Sequence, residues 1–181
     1  MKNIWPKEWG ITELKNVASV ATGCYYQQHD YADEHLYEVT TIDKITDTVI
    51  ALNAPKYMRI TEREIAKFRL KKGDIILSHR NSAGQIGKSV VFELSKMIIH
   101  TDKFIRIRVT EDYDSGFLNY VLKRSKDAGL FAEMARQNSH TLHITCSQLR
   151  TLAIPSLPIS MQLEIMEDIS AYEGESRTSY I

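Results

Sequence analysis

No stretch of this sequence approaches the ~18 consecutive apolar residues of a membrane-spanning helix, so no such helix is expected. The opening residues MKNIWPKEWG carry no apolar run of the signal-peptide kind either. Cysteine is scarce. Cys24 and Cys146 stand far apart, which leaves a disulfide open but unforced, and a reduced, cytoplasmic protein is expected. No Gly-rich fingerprint follows a strand and opens a helix, so no nucleotide or S-adenosylmethionine site is expected in the chain. The Asn-Pro-Pro-aromatic and Asp-Pro-Pro-aromatic motifs of amino-methyltransferases are missing as well. Internal repeats and low-complexity segments are absent. Neither sign of charge prevails: 23 basic residues face 23 acidic ones.

What is present is an ordinary globular composition, 43% hydrophobic and 25% charged over 181 residues, enough for one domain with a real core. The neutral total hides an uneven distribution. From Lys56 to Arg108 thirteen cations stand against five anions, a surplus of eight, and both flanks are acidic. Such a basic middle can face phosphate, or it can be a solvated charged face.

The local pattern predicts a short helix opening at Ile11 with Thr12 as its cap, stopped by Gly23. Strands are expected at 37–42, 48–52 and 57–60, with a turn at 43–47. Thr61-Glu62-Arg63-Glu64 has the form of a capping box, which predicts a helix over 62–68. Ile75 to Ser78 reads as a buried strand, His79 to Gln85 as a loop and Ile86 to Phe92 as the return strand. Met97 to His100 and Phe104 to Val109 add two more. A helix starts near Ser115, is interrupted at Gly129 and resumes over 130–136. Gln137 to His143 reads as a polar loop and Ser147 to Leu152 as a short helix. Pro155 and Pro158 fix an extended bend, after which Ser160 can cap a last helix reaching about Tyr172. The fold class is α+β (α/β): one globular domain with a twisted, mostly antiparallel sheet from residues 37–109, packed helices, and a C-terminal helix leaving the globule.

Two stretches carry a more specific signal. LKKGDIILSHRNSAGQIGK (70–88) is a strand, a polar Gly-bearing loop and a second strand. TLHITCSQLRTLAIPSLPISMQLEIMEDI (141–169) contains a short apolar-periodic segment, CSQLRTL, then a Pro-bracketed extended segment and a helix with Gln162 in its first turn. Their order and spacing resemble the target recognition domain of the DNA specificity (S) subunit of type I restriction-modification systems, over Trp9 to about Ile169. The resemblance implies a recognition domain at 1–158 and the start of the family's spacer helix at 159–181, cut short of its usual length. It further implies a bacterial-defence role without catalysis. The chain would read one half of a bipartite site in double-stranded DNA, beside a second recognition domain or a second copy of itself. It would hold no cofactor, while partner modification and restriction subunits use S-adenosylmethionine, ATP and Mg2+.

Three polar loops are candidates for DNA contact. The first is Ser78, His79, Arg80, Asn81, Ser82 and Gln85. An arginine can grip guanine through two acceptors, and an amide can do the same for adenine. Taken alone, the loop reads as an ordinary solvated turn; within the frame it resembles, it reads as a DNA contact. The second is Arg136, Asn138, Ser139, His140 and Thr141, and the third is Tyr25, Tyr26, Gln27 and Gln28. A polar connector and a variable surface loop are their plain alternatives. Lys71, Lys72, Lys88 and Arg59 are phosphate candidates, as are Arg69 and Arg106. Arg106 and Arg108 share a strand face and so act together or not at all. Ile154, Pro155, Leu157, Pro158 and Leu163 are candidates for subunit docking, or else a core strand and helix start.

Two other classes remain open from the residues alone. One is a small nuclease with Asp74, Glu93 and Lys96 at a metal centre, although Asp74 after Gly73 is a natural turn residue. The other is a protein-interaction or immunity module without DNA readout. His140 and His143 lack the partners of a zinc site, so no metal is expected.

Overall fold

The computed structural model describes residues 4–25, 37–46, 48–138 and 141–178. The chain runs through β1 (Gly10–Glu13), a 3-10 turn (Leu14–Asn16), β2 (Ala18–Thr22), β3 (Tyr37–Ile45), β4 (Ile50–Leu52) and β5 (Lys56–Met58). It continues with α1 (Glu62–Phe68), β6 (Ile75–Ser78), β7 (Arg80–Asn81), β8 (Ser89–Val91), β9 (Ile98–Ile99) and β10 (Phe104–Val109). The last part is α2 (Ser115–Asp127), α3 (Leu130–Met134), β11 (Arg136–Asn138), β12 (Thr141–His143), α4 (Cys146–Arg150), β13 (Ala153–Ser156) and α5 (Ile159–Thr178).

A four-stranded antiparallel sheet in the order β2-β10-β6-β8 is the centre of the molecule. The run Ile75-Ile76-Leu77 is apolar without alternation because both faces of β6 are covered. Ile75, Leu77, Ile105 and Ile107 share a core with Phe117, Leu118 and Val121 of α2, Leu149 of α4 and Ile154 of β13. Ile76, Val90 and Phe104 face a second core with Ile42, Ile45, Leu70 and Ile98. A third, smaller core of Val39, Met58, Ile60 and Ile99 lies under α1. The α+β class therefore holds. Its strands are divided among several small sheets, and one pair, β3 with β9, is parallel.

The helix expected from Ile11 is not formed. Leu14, Val17 and Ala18 fit a helical stripe, but β1 pairs with β13 and β2 completes the central sheet beside β10. The Leu14 amide donates to Leu152 O at 3.0 Å, so long-range pairing overrides the local period. The α1 expectation holds to the residue. Thr61 caps the helix through the Glu64 amide, and Glu64 returns a bond to the Thr61 amide at 2.9 Å. The final helix starts at Ile159, one residue before the expected cap, and continues past Gly174, a span of about 30 Å at 1.5 Å per residue.

Candidate nucleic-acid interface

The segment read as a loop after β6 is partly a strand. Arg80 and Asn81 form β7, which pairs with β12, and β12 pairs with β11. The polar stretch after Arg136, also read as a loop, is thus a hairpin laid against β7. Two candidate surfaces from distant parts of the sequence become one small antiparallel sheet.

Below β7 the chain is anchored firmly. Ser78 donates its amide to Lys88 O at 2.8 Å and accepts from the Gly87 amide at 2.8 Å. Gly87 has φ of +80°, and a Cβ there would stand 2.0 Å from the Phe131 ring, so packing requires glycine. Gly84, at the exposed tip, has open space around it.

Beside β7 lies a cleft of about 320 Å³. Arg80, Asn81, Gln85 and Lys88 come from the β6–β8 connection, with Ser78 among the lining residues. The Asp102–Phe104 turn contributes Lys103, and the end of β3 contributes Asp43 and Lys44. Four cations thus face two carboxylates. Among the described residues, no ion pair or side-chain hydrogen bond engages Lys44, Arg80, Gln85, Lys88 or Lys103. Asn81 is different. Its Oδ1 accepts from the Ser82 amide at 3.0 Å and its Nδ2 donates to Ser78 Oγ at 3.4 Å. Gln85 is therefore the less engaged amide of the cleft among the described residues.

Two members of the first loop lie inside. His79 is 2% exposed, with Nδ1 3.1 Å from Ile144 O and Nε2 2.9 Å from Asp102 O. Its ring is buried and braces the cleft from within, which corrects its assignment to DNA contact. Ser78 is buried and forms cleft floor. The His143 ring packs 5.2 Å from His79. Burial first, then the neighbouring His79 and Arg80, push the His143 pKa below the ordinary histidine value.

The remaining candidates divide. Tyr25 is 68% exposed and follows Cys24, whose carbonyl accepts from the Asp102 amide at 2.9 Å, but it does not line the cleft. Tyr26, Gln27, Gln28, Ser139 and His140 lie outside the described residues. Arg136, Asn138 and Thr141 are placed by backbone on the β11–β12 hairpin. Lys71 and Lys72 are exposed but precede β6, at its end opposite Ser78. With Arg69 and Lys96 they line a separate cleft of about 350 Å³. Arg59 follows β5, whose Met58 pairs with Tyr37, so it lies about 20 Å along β3 from Asp43. Neither group shares the cleft of Arg80.

Arg106 and Arg108 share a face as expected, but both are spent internally. Arg106 donates to Lys67 O at 3.0 Å. Arg108 grips buried Asp74 through two bonds, of 2.6 and 2.7 Å. Asp74 also accepts from the Lys71 amide at 2.7 Å, and Glu93 pairs with Lys72 at 3.3 Å. The nuclease centre is thus taken apart, and no group of three metal-ligating side chains occurs among the described residues.

Ile154 and Pro155 are buried in β13, which corrects their place in a docking surface, whereas Leu157 is half-buried and Pro158 and Leu163 are exposed. Gln162, which sequence reasoning placed only in a helix turn, is fully buried. It accepts from the Asp114 amide at 2.8 Å and donates to Leu157 O at 2.8 Å. A polar residue between Pro158 and the apolar positions of the helix was the signal for it. No helix among the described residues is long and apolar enough to cross a membrane.

The family model for the type I restriction modification DNA specificity domain matches residues 6–178. The MjaX type I restriction enzyme specificity subunit of Methanocaldococcus jannaschii is 30% identical over 173 residues, covering 93% of this chain and 40% of that protein. The chain therefore spans about two fifths of the length of the curated relative it matches. Among solved structures, the HsdS subunit of Thermoanaerobacter tengcongensis superposes with a TM-score of 0.65 at 16% identity, over 97% of this chain and 40% of that one. A chain from a type I R-M system studied for complex assembly and conformational transition gives 0.67 at 16% identity, over 97% and 41%. The S subunit from M. genitalium gives 0.56 at 16% identity, over 96% and 41%. At that identity the superpositions speak for the fold.

Proposed function

Since the chain belongs to the family of type I restriction modification DNA specificity domains, we propose that it is a sequence-reading half of a specificity subunit. It has no catalytic activity of its own. It binds one half of a bipartite site in double-stranded DNA, in the cytoplasm. Its partners are a modification subunit that methylates adenine with S-adenosylmethionine and a restriction subunit that uses ATP and Mg2+. The other half of the site falls to a second recognition domain or a second copy of the chain.

The observation that carries this reading is the cleft beside β7, where Lys44, Arg80, Gln85, Lys88 and Lys103 have no side-chain partner among the described residues. Charged side chains held together without internal partners cost stability through mutual repulsion, and a polyanion offsets that cost. The amide and guanidinium groups add what base edges require. Exposed Pro158 and Leu163, at the start of α5, are the proposed contact with the modification subunit.

Selection from a randomised duplex library at low salt tests the reading. The chain should enrich a motif of about three to five base pairs, lost in an Arg80→Ala, Asn81→Ala variant. A chain that binds no duplex even at low salt would instead be a protein-interaction module.

A further inference from the structure

β3 contains a β-bulge. Its register with β4 passes from Ile42 opposite Leu52 to Lys44 opposite Ala51, leaving Asp43 without a cross-strand partner. A bulge breaks the in-out alternation and re-aims side chains. Here Asp43 and Lys44 are both exposed between buried Ile42 and Ile45, and both line the cleft.

The Asp43 carboxylate takes no hydrogen bond or ion pair among the described residues, although Lys44 and Lys103 border the same cleft. In a cleft that attracts phosphate, a free carboxylate weakens binding to any duplex by repulsion. It contributes only where it meets a donor. An ionised carboxylate has acceptors alone, and a base offers donors in the major groove only as the exocyclic amino group of cytosine or adenine. Asp102 is less suited, because it is half-buried and its backbone is held by His79 and Cys24.

We propose that Asp43 is a specificity-determining residue that accepts a hydrogen bond from the exocyclic amino group of a base and rejects a keto group at the same position. The inference rests on the cleft being a DNA interface. The bulge is the device that turns the carboxylate toward the ligand.

The test is the same duplex selection with the unaltered chain, Asp43→Ala and, as a control for charge alone, Glu167→Gln on exposed α5. Asp43 is exposed and takes no partner among the described residues, so the alanine variant should keep the fold. The expected result is one motif position with cytosine or adenine, whose discrimination falls about tenfold in Asp43→Ala while the other positions persist and total binding rises. Glu167→Gln should leave the motif unaltered. If Asp43→Ala enriches the original motif at every position, the proposal is overturned while the DNA reading stands. If the unaltered chain enriches no motif, both are overturned.

Discussion

Arg80 stands directly opposite His143 in the β7–β12 ladder, and Asn81 stands opposite Leu142. This pairing joins the Gly-bearing connection after β6 to the hairpin after α3. The two polar segments present one surface, and a change in either is felt through the shared strands. The cleft side chains below that surface fall into two kinds, and they should respond differently to mutation.

On the proposed reading, Lys103→Ala removes a phosphate contact. It should weaken binding to all duplexes alike and lower the slope of log K against log salt by about 0.9. On the same reading Gln85→Ala removes a base contact, so the preference at one base pair should relax by about 1–3 kcal/mol with the slope unchanged. Titrations at four salt concentrations, on preferred and scrambled duplexes, separate the two. Equal effects of both variants on both duplexes would count against the division.

His79 should matter although its ring is buried and engaged internally. His79→Ala leaves the carbonyls of Ile144 and Asp102 without their ring partner in a nearly closed site. A stability loss of about 2–3 kcal/mol is expected. The Ile144 amide, which donates to His79 O at 2.9 Å, should exchange faster with solvent. Unfolding in urea and hydrogen exchange measure the two effects. Unchanged exchange at Ile144 would mean the ring is not the brace.

Much of the fold was legible where local chemistry and tertiary position agree. The capping box at Thr61, the apolar run Ile75–Leu77 and the alternation in Phe104–Val109 all yielded the observed elements. The first helix was misread because a stripe of Leu14, Val17 and Ala18 carries no record of the distant strands β10 and β13 that claim the backbone. The basic residues were legible as a surplus but not as a site. Arg108 and Lys103 look alike in sequence, yet one is spent on Asp74 and the other faces the cleft. Asp43 and Lys44 went unnoticed because a bulge is a property of pairing, and the segment had the look of a turn. The two polar loops were each visible as candidates, but their union depends on a ladder between residues far apart in the chain.

The two glycines of the recognition connection should behave oppositely. In Gly87→Ala the new Cβ meets the buried Phe131 ring at a backbone of positive φ, and about 3 kcal/mol of stability should be lost. Gly84→Ala meets nothing and should change stability by less than about 0.5 kcal/mol. Thermal melts of the pair decide it, and a Gly87→Ala chain as stable as the parent would refute the packing role.

Acid should destabilise the domain through His100. Burial holds its pKa below the ordinary 6.5, opposed by the bond between its Nδ1 and Phe68 O at 3.0 Å. The folded ring stays neutral where the unfolded chain takes up a proton. Stability is therefore flat above about pH 6.5 and falls as the pH drops below it. His143 is shifted in the same direction and leaves part of the slope in place. The difference in urea midpoint between pH 8 and pH 5 should shrink in His100→Gln. A difference as large as that of the parent would assign the acid limb to other groups.

Gln162 should determine how firmly α5 is held. The helix meets the domain through half-buried Ile165 and Met166, while Met161 and Leu163 are 41% and 47% exposed, so apolar packing alone is thin at its start. The Gln162 amide compensates by binding two segments at once. It takes the Asp114 amide, whose own side chain caps α2, and it holds Leu157 O after β13. Replacing it with leucine keeps the volume and strands one buried donor and one buried acceptor, a cost of about 2–4 kcal/mol. The loss should appear first as faster hydrogen exchange in the first turns of α5 and at Asp114, ahead of global unfolding. A helix start that rests mainly on Ile165 and Met166 would instead show unchanged exchange in Gln162→Leu and accelerated exchange in Met166→Ala.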